Sequence, residues 1–164
     1  MNRVLMAGAA AVALPAGLAV VARSLLATVT VRGGSMTPTL NDGDVLLVLR
    51  HPRLLVLRHP RLLVLRHRRR VRAGRIVVVQ RPDRELGWTN PLDLSGRAGW
   101  YVKRVAAAPG DPVPSWVAGE RPDRVPPGML ALRGDHPGSE DSKQWGLCPA
   151  ERMYGVVLVR LRAA

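Results

Sequence analysis

The stretch WYVKRVAA, residues 100–107, decides the fold. It is short, apolar and aromatic at its start, and closed by the turn signal APGDP at 108–112. That combination predicts a β-strand. Successive side chains of a strand point to opposite faces. Tyr101, Lys103 and Val105 therefore share one face, and Arg104 lies on the other, where it is expected to reach solvent. One face of this strand can bury a lysine while the other carries an arginine outward.

The same reading extends along the chain. LLATVTV (25–31), DVLLVL (44–49), RIVVVQ (75–80), GMLALRG (128–134) and YGVVLVRL (154–161) are short apolar runs of strand character. NDGD, VRAG, RPDRVPPG and GDHPGSEDS between them are turn signals. No long segment of helical period appears after residue 24. The expected fold class is mainly β, with one N-terminal transmembrane helix. The expected organisation is an anchor at 1–24 and a β-rich domain at 25–164, a length typical of one domain.

Residues 4–22, VLMAGAAAVALPAGLAVVA, carry no charge. About 19 residues at ~1.5 Å each just reach across a hydrocarbon core of roughly 30 Å. A cleaved secretory signal usually has a shorter apolar core, so an uncleaved anchor is the preferred reading. Basic residues flank both ends, so charge does not set the orientation.

The net charge is +13, and of the 25 basic residues all but Lys103 and Lys143 are arginines. Such a balance points towards polyanions or an anionic membrane. Here it reads as a compositional bias, since Phe is absent, aromatics are few, and no nucleic-acid module is present. Nucleic acid is not an expected partner; membrane lipid is. Cys148 is the single cysteine, which excludes an intrachain disulfide and a multi-cysteine zinc site. No metal or cofactor is called for.

Residues 46–69 hold an octad in three copies, LLVLRHPR, LLVLRHPR and LLVLRHRR. The period is too short for a common solenoid unit. Removing two copies leaves an apparent strand, basic turn and strand, so the repeat reads as a tolerated insertion at a hairpin. Repetition also accounts for His51, His59 and His67.

GGSMTPTL, residues 33–40, presents Ser35 as a candidate nucleophile. A serine hydroxyl needs a base. His136 in GDHPGS is one choice, as part of a serine–histidine–aspartate triad. Lys103 is the other, provided that burial lowers its pKa. Arginine cannot serve, because it stays protonated. Both choices remain open on these grounds.

GGSMTPTLNDGDVLLV, WYVKRVAAAPGD and LRGDHPGSEDSKQWG, in this order and after an apolar N-terminus, resemble the type I signal peptidases. These are membrane-bound serine endopeptidases with a serine–lysine dyad on a β-rich fold. The resemblance implies Ser35 as nucleophile and Lys103 as base. It implies that Ser139 orients the lysine and that Asp135, Asp141, Ser142 and Lys143 support the site. The family usually has Asn in place of His136 and Arg in place of Lys143. Some members carry a serine in place of Gly33, so an oxyanion hole here would rest on backbone N–H groups, including that of Ser35. The implied substrates are signal-peptide-bearing precursors of exported proteins, cut at the outer face of the cell membrane. Two other readings stand beside it: a maturation peptidase dedicated to one precursor, and a non-catalytic basic membrane-surface protein.

Overall fold

The computed structural model describes residues 23, 25–50, 71–89, 91–93 and 99–164. The expected anchor, apart from residue 23, and residues 51–69 of the repeat lie outside the described residues. Among the described residues no helix is long and apolar enough to cross a membrane.

Seven strands form one antiparallel sheet: β1 (Leu26–Thr30), β2 (Val45–Arg50), β3 (Ile76–Gln80), β4 (Trp100–Ala107), β5 (Met129–Arg133), β6 (Cys148–Pro149) and β7 (Met153–Arg162). Their order is β1-β2-β7-β3-β4-β5-β6. A single helical turn, α1 (Ser142–Trp145), and a 3₁₀ turn (Ala150–Arg152) flank β6. The six apolar runs read from the sequence are β1 to β5 and β7, each within a residue or so at its ends. β6, two residues long, is too short to show a period.

The expected hairpin between β2 and β3 does not form. β7 lies between them and pairs with both, Leu47 opposite Val159 and Val77 opposite Val156. The final strand is ten residues long, and its Val156 lies opposite both Leu49 of β2 and Val77 of β3. The repeat region thus begins in a strand that has the chain's last strand as its neighbour.

The central strands are covered on both faces, which explains the unbroken IVVVQ of β3. Val77, Val79 and Val105 face one core, with Leu130, Leu132, Met153 and the partly buried Tyr101. Val78 and Val102 face another, with Leu46, Val48, Met36 and Leu40. Alternation along β4 therefore puts Lys103 on the Tyr101–Val105 face, as expected. Cys148 is fully buried, and burial pushes its thiol pKa up. It is a packing residue.

Candidate active site

The loop between β1 and β2 carries Ser35. Two ends of the loop are closed by main-chain bonds from Val31 N–H to Asp44 O at 2.8 Å and from Gly43 N–H to Val31 O at 2.9 Å. Met36 and Leu40 plug into the core beneath, with 0% and 4% of their surface exposed. Leu40 N–H donates to Met36 O at 2.9 Å, and Thr37 donates to Gly34 O from both its N–H and its hydroxyl. Burial of Met36 fixes the residue before it, so Ser35 stays at the surface, partly exposed, without freedom to drift.

Lys103 comes from the middle of β4 and is only 2% exposed. Its Nζ donates to Ser139 Oγ at 2.6 Å and sits 4.8 Å from the centre of the Tyr101 ring. Burial is the main reason its pKa falls from an ordinary 10.5 to about 8. The carboxylates of Asp141 and Glu140 pull the other way, and Lys143 adds a smaller downward push.

Ser139 belongs to the loop after β5. The loop folds back through Gly134, His136 and α1. His136 N–H donates to Ser35 O at 3.2 Å, so this loop touches the serine loop directly. Ser139 N–H donates to His136 O at 3.0 Å. Asp141 caps α1: its side chain accepts from Lys143 N–H, and Gln144 Oε1 accepts from Asp141 N–H in return. The other Asp141 oxygen accepts from Gly134 N–H at 2.9 Å. Ser142 Oγ accepts from Leu132 N–H at 2.9 Å. Lys143 Nζ lies 3.7 Å from Asp141 and donates to Pro137 O at 2.9 Å. Four side chains thus brace the loop that presents Ser139.

Arg104 reaches solvent with 32% of its side chain exposed, and it also has partners that the sequence did not show. Its Nε and Nη2 meet Asp135 Oδ1 and Oδ2 at 2.8 and 2.6 Å, a two-pronged pair. It also donates to Gly74 O and Thr39 Oγ1. The guanidinium holds the Asp135 carboxyl below its ordinary pKa despite partial burial. A half-exposed position beside a carboxylate and the serine loop gave Arg104 partners that strand alternation cannot reveal.

The two loops and β4 meet around a cleft of about 410 Å³ lined by Ser35, Lys103, Ser139, Tyr101, His136 and Glu140, among others. Asp135, Asp141, Ser142 and Lys143 stand behind it. The Nζ hydrogen bond goes to Ser139 and, among the described residues, not to Ser35. His136 Nδ1 accepts from Gly138 N–H at 3.1 Å, and the neighbouring carboxylate of Asp135 is paired with Arg104.

Two contributors escaped the sequence reading. Gly134 is one: a Cβ there would overlap the Ser139 side chain and lie 2.6 Å from Ser35 O. Its signal in the sequence is only a glycine in a turn. The other is Glu140, whose Oε2 accepts from Tyr101 O–H at 2.7 Å across the mouth of the cleft.

A buried amine, a partly exposed serine and a second serine bonded to the amine share one cleft. The family described as signal peptidase, peptidase S26, matches residues 3–116, and the chain belongs to it. It is a serine hydrolase of the signal peptidase I type, acting on signal-peptide-bearing precursors. The matched span contains Ser35 and Lys103 and ends before β5. No curated protein matches the chain.

Proposed function

We propose that the protein is a serine–lysine endopeptidase that removes signal peptides from exported precursors at the outer surface of the cell membrane. Residues 1–24 are its single-pass anchor, and residues 25–164 its extracytoplasmic catalytic domain. The observation that carries this reading is Lys103: a buried amine with a pKa near 8, in the cleft that holds Ser35 and bonded to Ser139.

The chemistry is acyl transfer. Neutral Lys103 accepts the Ser35 proton as Oγ bonds to the scissile carbonyl carbon, and the carbonyl π pair moves onto oxygen. The Ser35 backbone N–H is available to that oxygen, since it donates to no acceptor among the described residues. Collapse breaks the C–N bond, and the lysine ammonium protonates the leaving amine. Water then hydrolyses the ester with Lys103 again as base. Ser139 Oγ fixes the amine without removing its lone pair, because the hydroxyl can donate its own proton to Glu140 O, 3.3 Å away.

The histidine alternative has less support. His136 Nδ1 is held by Gly138, and the adjacent carboxylate serves Arg104. The test is a preprotein cleavage assay with the full chain in lipid vesicles. Ser35→Ala and Lys103→Arg are expected to abolish cleavage, and protease added outside the vesicles is expected to reach the catalytic domain when the enzyme is active on external precursor. Cleavage that survives both substitutions overturns the dyad.

A further inference from the structure

An acyl-transfer site needs hydrogen-bond donors aimed where the carbonyl oxygen gains charge. The loop just before Ser35 supplies few. Gly33 has no side chain, and its φ of +78° is one that L side chains rarely adopt. Its N–H is already donated to Asp42 Oδ1 at 2.6 Å. The cleft must therefore find a side-chain donor elsewhere, or rely on main-chain N–H groups alone.

Most hydroxyls lining the cleft are engaged. Thr37 Oγ1 donates to Gly34 O at 2.8 Å, Tyr101 O–H donates to Glu140 Oε2, and Ser139 Oγ donates to Glu140 O. Lys103 is occupied with the proton. His136 is different. Its Nδ1 accepts from Gly138 N–H at 3.1 Å. A neutral imidazole that accepts at Nδ1 carries its proton at Nε2. That N–H has no acceptor among the described residues, and the ring lines the same cleft as Ser35. The main chain of His136 also donates to Ser35 O, which joins the two loops at this point.

We infer that His136 Nε2–H, beside the Ser35 backbone N–H, is a hydrogen-bond donor to the scissile carbonyl oxygen of the bound precursor. The inference rests on the reading of Ser35 as nucleophile. In this role the imidazole donates a hydrogen bond and transfers no proton. Its bond strengthens as the π pair settles on oxygen, so it acts on the transition state more than on the bound substrate.

The experiment measures kcat and KM for a precursor-derived peptide, using the full chain in detergent micelles. Inhibition by a peptide aldehyde, which forms a tetrahedral adduct on serine, is measured alongside. His136→Ala is expected to lower kcat roughly 100-fold, to leave KM nearly unchanged and to weaken aldehyde binding by a similar factor. His136→Asn, which keeps an N–H on a shorter side chain, is expected to recover part of that loss. If His136→Ala melts early, the comparison of aldehyde with substrate is made in His136→Asn, where the aldehyde must suffer more. A kcat near wild type, a loss confined to KM, or unchanged aldehyde affinity overturns the inference. Full activity in His136→Ala with none in Ser35→Ala or Lys103→Met sinks this donor and leaves the dyad standing. Activity retained in Ser35→Ala sinks both. Activity in Lys103→Met but none in either His136 variant makes histidine the base, and also sinks both.

Discussion

Lys103 is held between two opposed demands. As the base we propose, it must lose its proton near the working pH, and as a buried cation it weakens the fold. Both follow from a pKa lowered to about 8. Cleavage is expected to rise with pH, about tenfold per unit of kcat/KM well below 8, and to level off above it. A pH profile flat from 6 to 9 would contradict the assignment. The stability effect has the opposite partner state. Below about pH 8 the lysine is charged in both folded and unfolded chains, and burial disfavours it in the fold. As pH rises from 8 towards the ordinary 10.5, the folded chain binds fewer protons than the unfolded one, so that penalty is relieved. Lys103→Met is therefore expected to abolish cleavage and to melt at or above the wild-type temperature at pH 6–7, with the gap closing at higher pH. Calorimetry across that range checks it. Lys103 stood out in the sequence as one lysine in an apolar strand of an arginine-rich chain, but its reading as a base came from the resemblance to the type I signal peptidases. The pairing of the neighbouring Arg104 was not legible, because its partner Asp135 comes from a loop that strand alternation does not place.

The elements that matter most are the two loops that converge on the cleft. Gly134 lets them touch, because any Cβ there would crowd Ser139 and Ser35 O. Gly134→Ala is expected to cost about 1–3 kcal/mol in denaturant unfolding and to lower cleavage further than that loss of folded protein explains. Wild-type activity in this variant would show that the loops do not need their close contact. Asp141 works from the other end of the same loop, capping α1 and accepting from Gly134 N–H. Asp141→Ala is expected to destabilise the fold by about 1–2 kcal/mol. The six longer strands were readable from apolar runs and turn residues. The close approach at Gly134 was not, since it depends on loops whose contact is set by the cores beneath them.

At the scale of the whole molecule, the strand order carries the main surprise. β7 separates β2 from β3 and buries apolar residues beside both, so these two strands do not pair as a hairpin. No period within residues 44–80 could announce that, because the intervening strand comes from the other end of the chain. Deleting residues 46–61 leaves the third copy to supply LLVLR for β2. Precursor cleavage is expected to persist in that deletion within severalfold of the full chain, and its loss would give the repeat a function. The central claim is that Ser35 and Lys103 act as one unit. Mass spectrometry of an intact precursor incubated at pH 8.5 with wild-type enzyme and with Lys103→Met tests it most directly. The account predicts two products from a single cut with wild type and uncut precursor with the folded variant. The same two products from Lys103→Met would contradict it.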